Sequence, residues 1–258
     1  MILPDRIPRA ALVTGAGKRI GRAIALDLAS NGLAVGVHYN SSAEAADAVV
    51  AEIRSRGGKA VALQADLADE AAVEGLVPAA TAALGPLGVL INNASTFEYD
   101  SIDSATRANW DRHMEANLRA PFVLIQQFAR HLPETAEGAV VNLIDQRVWN
   151  LTPHFVTYTV SKAALWTLTQ TLALALAPRI RVNGIGPGPT LPSTHQTDAQ
   201  FAQQCADMPL GRGTSPEEIV AAVWFLLQAR AMTGQMVALD GGQHLGWAQP
   251  KQTMSVVD

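Results

Sequence analysis

Short apolar runs alternate with stretches of helical periodicity along the whole chain, and that alternation predicts strands and helices in regular succession. Residues 10–13, 34–37, 60–64, 89–91, 139–144, 181–185 and 235–239 read as seven strands. Between them, apolar positions recur at helical spacing up to Asn31-Gly32, then over 44–56, 69–84, 110–131, 158–177 and 216–229. Glycine stops the first two helices, Pro178 ends the fifth, and a Ser/Pro/Glu start opens the last. Residues 189–214 are rich in Pro, Thr and Gln with weak periodicity, the profile of a mobile lid. No linker interrupts the series. One α/β domain covering residues 1–258, with a parallel sheet and helices on both faces, is the expected architecture.

Composition agrees with that picture. Of 258 residues, 48% are hydrophobic and 16% charged, enough to bury one substantial core. The net charge of −4 and the scatter of basic residues argue against nucleic acid as a bulk partner. The single Cys205 excludes an internal disulfide and fits a reducing compartment. His38, His113, His131, His154, His195 and His244 lack paired metal spacing, so no metal site is expected. Residues 1–6 lack a signal-peptide core, and no apolar run reaches the ~18 residues a membrane helix needs. A soluble cytoplasmic protein is expected.

The candidate chemistry begins between the first strand and the first helix, at Gly15-Ala16-Gly17-Lys18-Arg19-Ile20-Gly21. In that context Gly15 permits a tight turn, Gly17 lets a pyrophosphate approach the backbone, and Gly21 lets helix pack on strand. Open N–H groups at the helix start then suit a dinucleotide phosphate. After the second strand, His38, Tyr39, Asn40, Ser41 and Ser42 stand where an acid would grip the ribose of NAD. That acid is missing and Lys18 and Arg19 lie in the glycine turn, a combination that favours NADP(H). The bland alternative makes both cations ordinary solvated residues. Asp66 and Leu67 are candidate adenine contacts, and a helix N-cap for Ala68 onward explains Asp66 equally well. Asn92, Asn93, Ala94 and Ser95 close the fourth strand, where the Asn side chains can pin neighbouring strands and wall the cofactor groove.

Tyr158 and Lys162 start the fifth helix one turn apart, so phenol and ammonium emerge on one face. A nearby ammonium pulls a phenol's pKa down from about 10 toward the working range, as proton delivery during a reduction requires. Asn117, inside a predicted helix where its propensity is poor, calls for a specific contact or solvent.

These residues carry a resemblance. Gly15, Arg19 and Gly21, Asn92-Asn93-Ala94, Asn117, Tyr158 with Lys162, Arg181-Val182-Asn183 and Pro187-Gly188 together resemble the short-chain dehydrogenase/reductase family, from about residue 10 to 246. The resemblance implies a Rossmann-type doubly wound sheet, a homotetramer or dimer, and reduction of a small molecule by NAD(P)H. It implies that Tyr158 donates the proton, that Lys162 holds the nicotinamide ribose and lowers the Tyr158 pKa, and that Asn117 supports a relay water. It also implies that Pro187 and Gly188 adjoin the cofactor.

Three positions depart from the common family pattern. Arg19 and Ser95 replace glycines, and Asp145, 13 residues before Tyr158, replaces a catalytic serine. All three resemble the pteridine reductase branch, as does Ser95-Thr96-Phe97. That likeness implies NADPH 2′-phosphate binding by Arg19 and the residues after strand two. It further implies a pterin sandwiched by Phe97, Ser95 touching cofactor and substrate, and Asp145 acting with Tyr158 as acid. An ionised Asp145 would repel a developing alkoxide, whereas reduction of a ring C=N needs a proton at nitrogen. A loop-capping role for Asp145 is the alternative. Trp149, His154 and Phe155 lie where a planar substrate could stack, and plain packing explains each equally.

Overall fold

Along β1 (Ala10–Val13) successive side chains enter two different cores, as a strand buried on both faces dictates. Ala11 and Val13 face helices α1 (Arg19–Ser30), α2 (Ala43–Ser55) and α8 (Pro216–Gln228). Ala10 and Leu12 face α3 (Glu70–Leu84), α5 (Ala120–His131) and α6 (Val156–Leu176). β4 (Val89–Asn92) and β5 (Gly138–Leu143) alternate in the same way, with Val89, Ile91 and Val141 on one side and Leu90 and Val140 on the other. The computed structural model describes residues 3–193 and 196–246.

With β2 (Ala34–Tyr39), β3 (Ala60–Gln64), β6 (Ile180–Pro187) and β7 (Met236–Leu239), the strands form one seven-stranded sheet. Its order is β3-β2-β1-β4-β5-β6-β7, and all pairs are parallel. Winding runs outward from β1 to β3, then returns to β4 and proceeds the other way. The reversal leaves a crevice beyond the carboxyl ends of β1 and β4, the place where such sheets bind ligands. Asn92 Nδ2 donates to Asn142 Oδ1 at 2.8 Å and Asn142 Nδ2 to Thr169 Oγ1 at 2.9 Å, pinning β4, β5 and α6 beneath it.

Two expectations need correction. The helix expected over 110–131 is divided into α4 (Arg107–Met114), a five-residue π-turn (Glu115–Arg119) and α5. The wider turn accommodates Asn117, whose side chain finds its partners inside the protein rather than in solvent. The lid region is also more structured than its composition suggests, because α7 (Asp198–Ala206) crosses it. A capping box between Thr197 and Gln200 starts that helix, satisfying end N–H groups that weak periodicity alone would leave open. His195 and one part of the lid fall outside the described residues.

Candidate active site

Among the described residues two that are not glycine adopt left-handed backbone angles, Arg19 at φ 53°, which borders the crevice, and Phe155 at φ 56°. Phe155 is held there by its N–H to Asp100 O at 2.8 Å. Buried Asp100 then caps α6, accepting from Thr157 N at 3.2 Å and from Thr157 Oγ1. Thr157 also meets His113 Nδ1 at 2.7 Å, and His113 Nε2 accepts from Glu98 N at 3.2 Å. This network ties the segment after β4 to the start of the α6 helix. Burial drives the His113 pKa below its ordinary value.

On that base stands a stack of aromatic rings. Phe97 and Phe155 lie parallel with centroids 4.5 Å apart, and Tyr158 meets Phe97 edge-on at 4.7 Å. Tyr158 donates its hydroxyl to Asp145 Oδ2 at 2.9 Å, while Asp145 Oδ1 accepts from Arg147 N at 2.8 Å. The carboxylate therefore caps its own turn and holds the phenol at once. Lys162, buried, donates to Leu143 O at 2.8 Å. Burial lowers its pKa to about 8, against the raising influence of Asp145.

The expected lowering of the Tyr158 pKa is reversed in this structure. Burial, and then the Asp145 carboxylate, push it well above its ordinary value of 10.0. The Lys162 nitrogen lies 5.8 Å from the ring centroid, whereas the carboxylate touches the hydroxyl. The phenol stays protonated, ready to give a proton rather than take one.

Asn117, fully buried, has a saturated side chain. Its Nδ2 donates to Thr96 O at 2.9 Å and Ser161 Oγ at 3.1 Å. Its Oδ1 accepts from Thr96 N at 2.8 Å and Ser95 Oγ at 3.1 Å. No side-chain valence is left for a relay water, so any such water must use backbone groups loosened by the π-turn.

Around the glycine turn, Gly15 takes φ 62°, and a Cβ on Gly21 would lie 2.3 Å from Gly15 O. Gly17 makes room for a neighbour in the protein, since its Cβ would meet Ala46 N at 3.3 Å. Asn93 Nδ2 donates to Thr14 O at 2.8 Å and Gly15 O at 3.2 Å, closing the turn. No side chain caps the first turn of α1 at Lys18, so its N–H groups face the crevice unclaimed by a side chain. The turn thus fits a dinucleotide phosphate.

The residues expected at a 2′-phosphate divide. Lys18, Ser41 and Ser42 border one shallow concavity, with exposed Asn40 and half-buried Tyr39 preceding them. His38 is turned inward instead. It accepts from Gly15 N at 3.0 Å through Nδ1, and its Nε2 lies 3.2 Å from Ala65 O. Burial lowers its pKa, so it serves as an uncharged strut and not as a phosphate cation. The Arg19 guanidinium reaches the lid, donating to Pro192 O at 2.8 Å and Leu191 O at 3.2 Å. Leu67 packs in the core and offers an adenine ring little surface. Asp66 closes a turn by accepting from Ala68 N at 3.0 Å, and Asp69 is the true N-cap of α3.

A cavity of about 310 Å³ brings the remaining candidates together: Arg19, Ile20, Asn93, Ser95, Phe97, Asp145, Tyr158, Lys162, Pro187 and Gly188. Ala94 lies beside it against Gly15. Trp149, exposed, meets Trp166 and His244 edge-on, and His154 packs on Tyr99. Phe155, expected to touch substrate, is not in the cavity lining: it backs the Phe97 ring, with the Arg147 guanidinium over it. Sequence reasoning missed Asp100, which shares a polar loop with Glu98 and Asp103, and Arg147, two residues past Asp145. Among the described residues no helix is long and apolar enough to cross a membrane, and no metal-ligating cluster of three or more residues occurs.

Comparison with known proteins agrees with this geometry. A family model described as enoyl-(acyl carrier protein) reductase matches residues 15–244. An uncharacterized oxidoreductase of Methylorubrum extorquens is 38% identical, covering 91% of this chain and 97% of its own. The 3-oxoacyl-[acyl-carrier-protein] reductase FabG of Staphylococcus aureus is 34% identical, covering 93% of this chain and all of its own. Among solved structures, FolM alternative dihydrofolate reductase 1 of Brucella suis, in complex with NADP, is 48% identical with a TM-score of 0.91. It covers 95% of this chain and 98% of that one. With sheet order, glycine turn and the Tyr158–Lys162 pair in place, the chain belongs to the short-chain dehydrogenase/reductase family of oxidoreductases.

Proposed function

We propose that this protein is an NADPH-dependent reductase of a pterin-type ring, taking a dihydropterin or dihydrofolate to the tetrahydro form. The observation that carries the reading is the 2.9 Å contact between Tyr158 and Asp145 beside the exposed ring of Phe97. Similarity to the Brucella FolM, named a dihydrofolate reductase and solved with NADP, supports it.

In this reading the glycine turn and the open start of α1 hold the pyrophosphate. Lys18, Ser41 and Ser42 receive the 2′-phosphate, joined by Arg19 when it leaves the lid. Lys162 holds the nicotinamide ribose. When bound, the cofactor supplies a hydride to the ring carbon of the C=N bond. Phe97 orients the substrate ring by stacking. Tyr158, kept protonated by burial and Asp145, delivers the proton to the ring nitrogen, and a proton from solvent restores it through the Asp145 contact. Asn117 fixes Ser95 and Thr96 beneath that ring.

A broader carbonyl reductase is the second reading, favoured by the 34% identity to FabG. NADPH consumption with dihydrobiopterin, dihydrofolate and an activated ketone in parallel separates the two. Pterin turnover with little ketone turnover is expected, and ketone turnover alone would overturn the pterin assignment. We also propose a homotetramer, with exposed Trp110, Val160 and Leu174 as interface residues. Light scattering at the mass of a monomer would refute it.

A further inference from the structure

Arg147 belongs to none of the roles above. It lines the cavity beside Asp145, yet it makes no ion pair among the described residues. The nearest carboxylate is already engaged, with Asp145 Oδ2 on Tyr158 and Oδ1 on the Arg147 backbone N–H. The guanidinium is nonetheless held in place. Its carbon sits 5.0 Å above the Phe155 ring, and Nη1 donates to Thr152 Oγ1 at 2.9 Å. Thr152 in turn donates to His154 O at 3.2 Å, which fixes its lone pairs toward the arginine. Arg147 Nε is buried with no acceptor. A charged fork that is fixed, unneutralised and short of an acceptor lacks a partner the protein does not supply.

The charge around it points to the kind of partner. Arg19, Arg147 and Lys162 line the cavity against one carboxylate, Asp145, in a chain whose net charge is −4. Arg19 is spent on lid carbonyls and Lys162 on Leu143 O, which leaves Arg147 as the cation that can meet a ligand without breaking an existing contact to the lid or sheet. Thr152 and His154 belong to the exposed stretch before α6, so Arg147 links the buried acid pair to the outer wall of the cavity.

We propose that Arg147 binds an oxyanion, a carboxylate or phosphate, on the substrate's side chain, and so selects anionic conjugates over neutral ones. The proposal rests on the pterin reading and adds a specificity residue to it. With Nη1 on Thr152 and Nε sealed, Nη2 is the atom left to face a ligand oxyanion.

The test compares dihydrofolate (carboxylate), dihydroneopterin phosphate (phosphate) and dihydrobiopterin (uncharged side chain) with wild type, Arg147→Gln and Arg147→Lys. Arg147→Gln is expected to raise KM for the anionic substrates on the order of tenfold, or 1.4 kcal/mol. KM for dihydrobiopterin should change less than about twofold. Arg147→Lys should recover part of the loss, more for phosphate than for the planar carboxylate. Whichever anion loses more in Arg147→Gln is the source the site is built for. Equal losses with all three substrates would reduce Arg147 to a structural support, and no loss would end the proposal. If no pterin is turned over, equilibrium binding of folate and biopterin to the NADP⁺-loaded enzyme makes the same comparison. Arg147-dependent folate binding there would leave the anion site standing and remove only the reaction.

Discussion

Tyr158 donates its hydroxyl hydrogen bond to Asp145, at 2.9 Å, while Lys162 is turned to Leu143 O. The relationship divides the labour of the site. The lysine carries a buried charge near the cofactor position, while the carboxylate determines the protonation of the phenol.

Replacing Asp145 with Ser tests that division. The change removes the carboxylate that raises the Tyr158 pKa and substitutes a hydrogen-bond donor suited to an alkoxide. Pterin turnover is expected to fall about a hundredfold or more, as loss of a general acid does, while turnover of an activated ketone is kept or raised. Parallel kcat/KM measurements decide it; equal losses on both substrates would assign Asp145 to loop capping alone.

Lys162 yields a prediction of opposite sign for stability and activity. Its pKa, 10.5 ordinarily, is about 8 in the folded protein because burial opposes the charge. Between those values the unfolded chain binds more protons, so stability rises with pH across the window and the penalty is complete below about 8. Lys162→Met should therefore stabilise the protein at pH 7, on the order of 1 kcal/mol after loss of the Leu143 contact. That gain should shrink as pH approaches 10.5, and turnover should be lost. Urea melts at both pH values check the sign.

The glycine turn, the alternating strand faces and the one-turn spacing of Tyr158 and Lys162 were legible in the sequence because each follows from local geometry. Asp145 was legible only through the resemblance, which puts a catalytic serine 13 residues before the tyrosine. What escaped depends on three-dimensional partners. Whether His38 faces a phosphate or Ala65 depends on how deeply β2 sits between β1 and β3. Arg19 reaches the lid through carbonyls that sequence cannot place. The π-turn at Asn117 arises from a demand for four buried hydrogen bonds, which propensity sees only as a poor helix residue. The Thr197–Gln200 capping box has the spacing of a helix start, but the segment after it carries too little periodicity to mark a helix.

Asn117→Ala removes a side chain whose four bonds join Ser95, Thr96 and Ser161. Buried partners left unsatisfied predict a loss of roughly 2–4 kcal/mol in stability. Because Ser95 and Thr96 lead to Phe97, KM for the ring substrate should rise as well. A variant with unchanged denaturation midpoint would show that water replaces the amide.

Arg19→Gly separates lid from phosphate. Glycine accepts the left-handed backbone, relieving about 1 kcal/mol of strain, so the fold should be no less stable. The preference for NADPH over NADH should fall about tenfold or more if the guanidinium reaches the 2′-phosphate. An unchanged preference would assign that recognition to Lys18, Ser41 and Ser42, leaving Arg19 as a lid contact only.

Acid should loosen the site through two buried histidines. His113 accepts at Nε2 from Glu98 N, which places its proton on Nδ1, facing Thr157 and, through Thr157, the Asp100 carboxylate. His38 accepts at Nδ1 from Gly15 N, which places its proton on Nε2, facing Ala65 O. A second proton on either ring would set N–H against N–H. Burial accordingly lowers both pKa values below 6.5, the nearby carboxylates Asp100 and Glu98 only partly opposing it at His113. For a depressed histidine pKa, the unfolded chain takes up the proton first. Their stabilising contribution is therefore complete above pH 6.5 and is lost as pH falls through the lower folded values. His38→Asn keeps an acceptor at the δ position for Gly15 N but cannot titrate. Urea midpoints measured from pH 7.5 down to pH 5 should fall less steeply in His38→Asn than in the wild type. The fall that remains belongs to His113, and it should coincide with a rise in KM, because His113 holds Glu98 N in the segment that carries Phe97. Identical slopes in the two proteins would exclude His38 as a source of acid sensitivity.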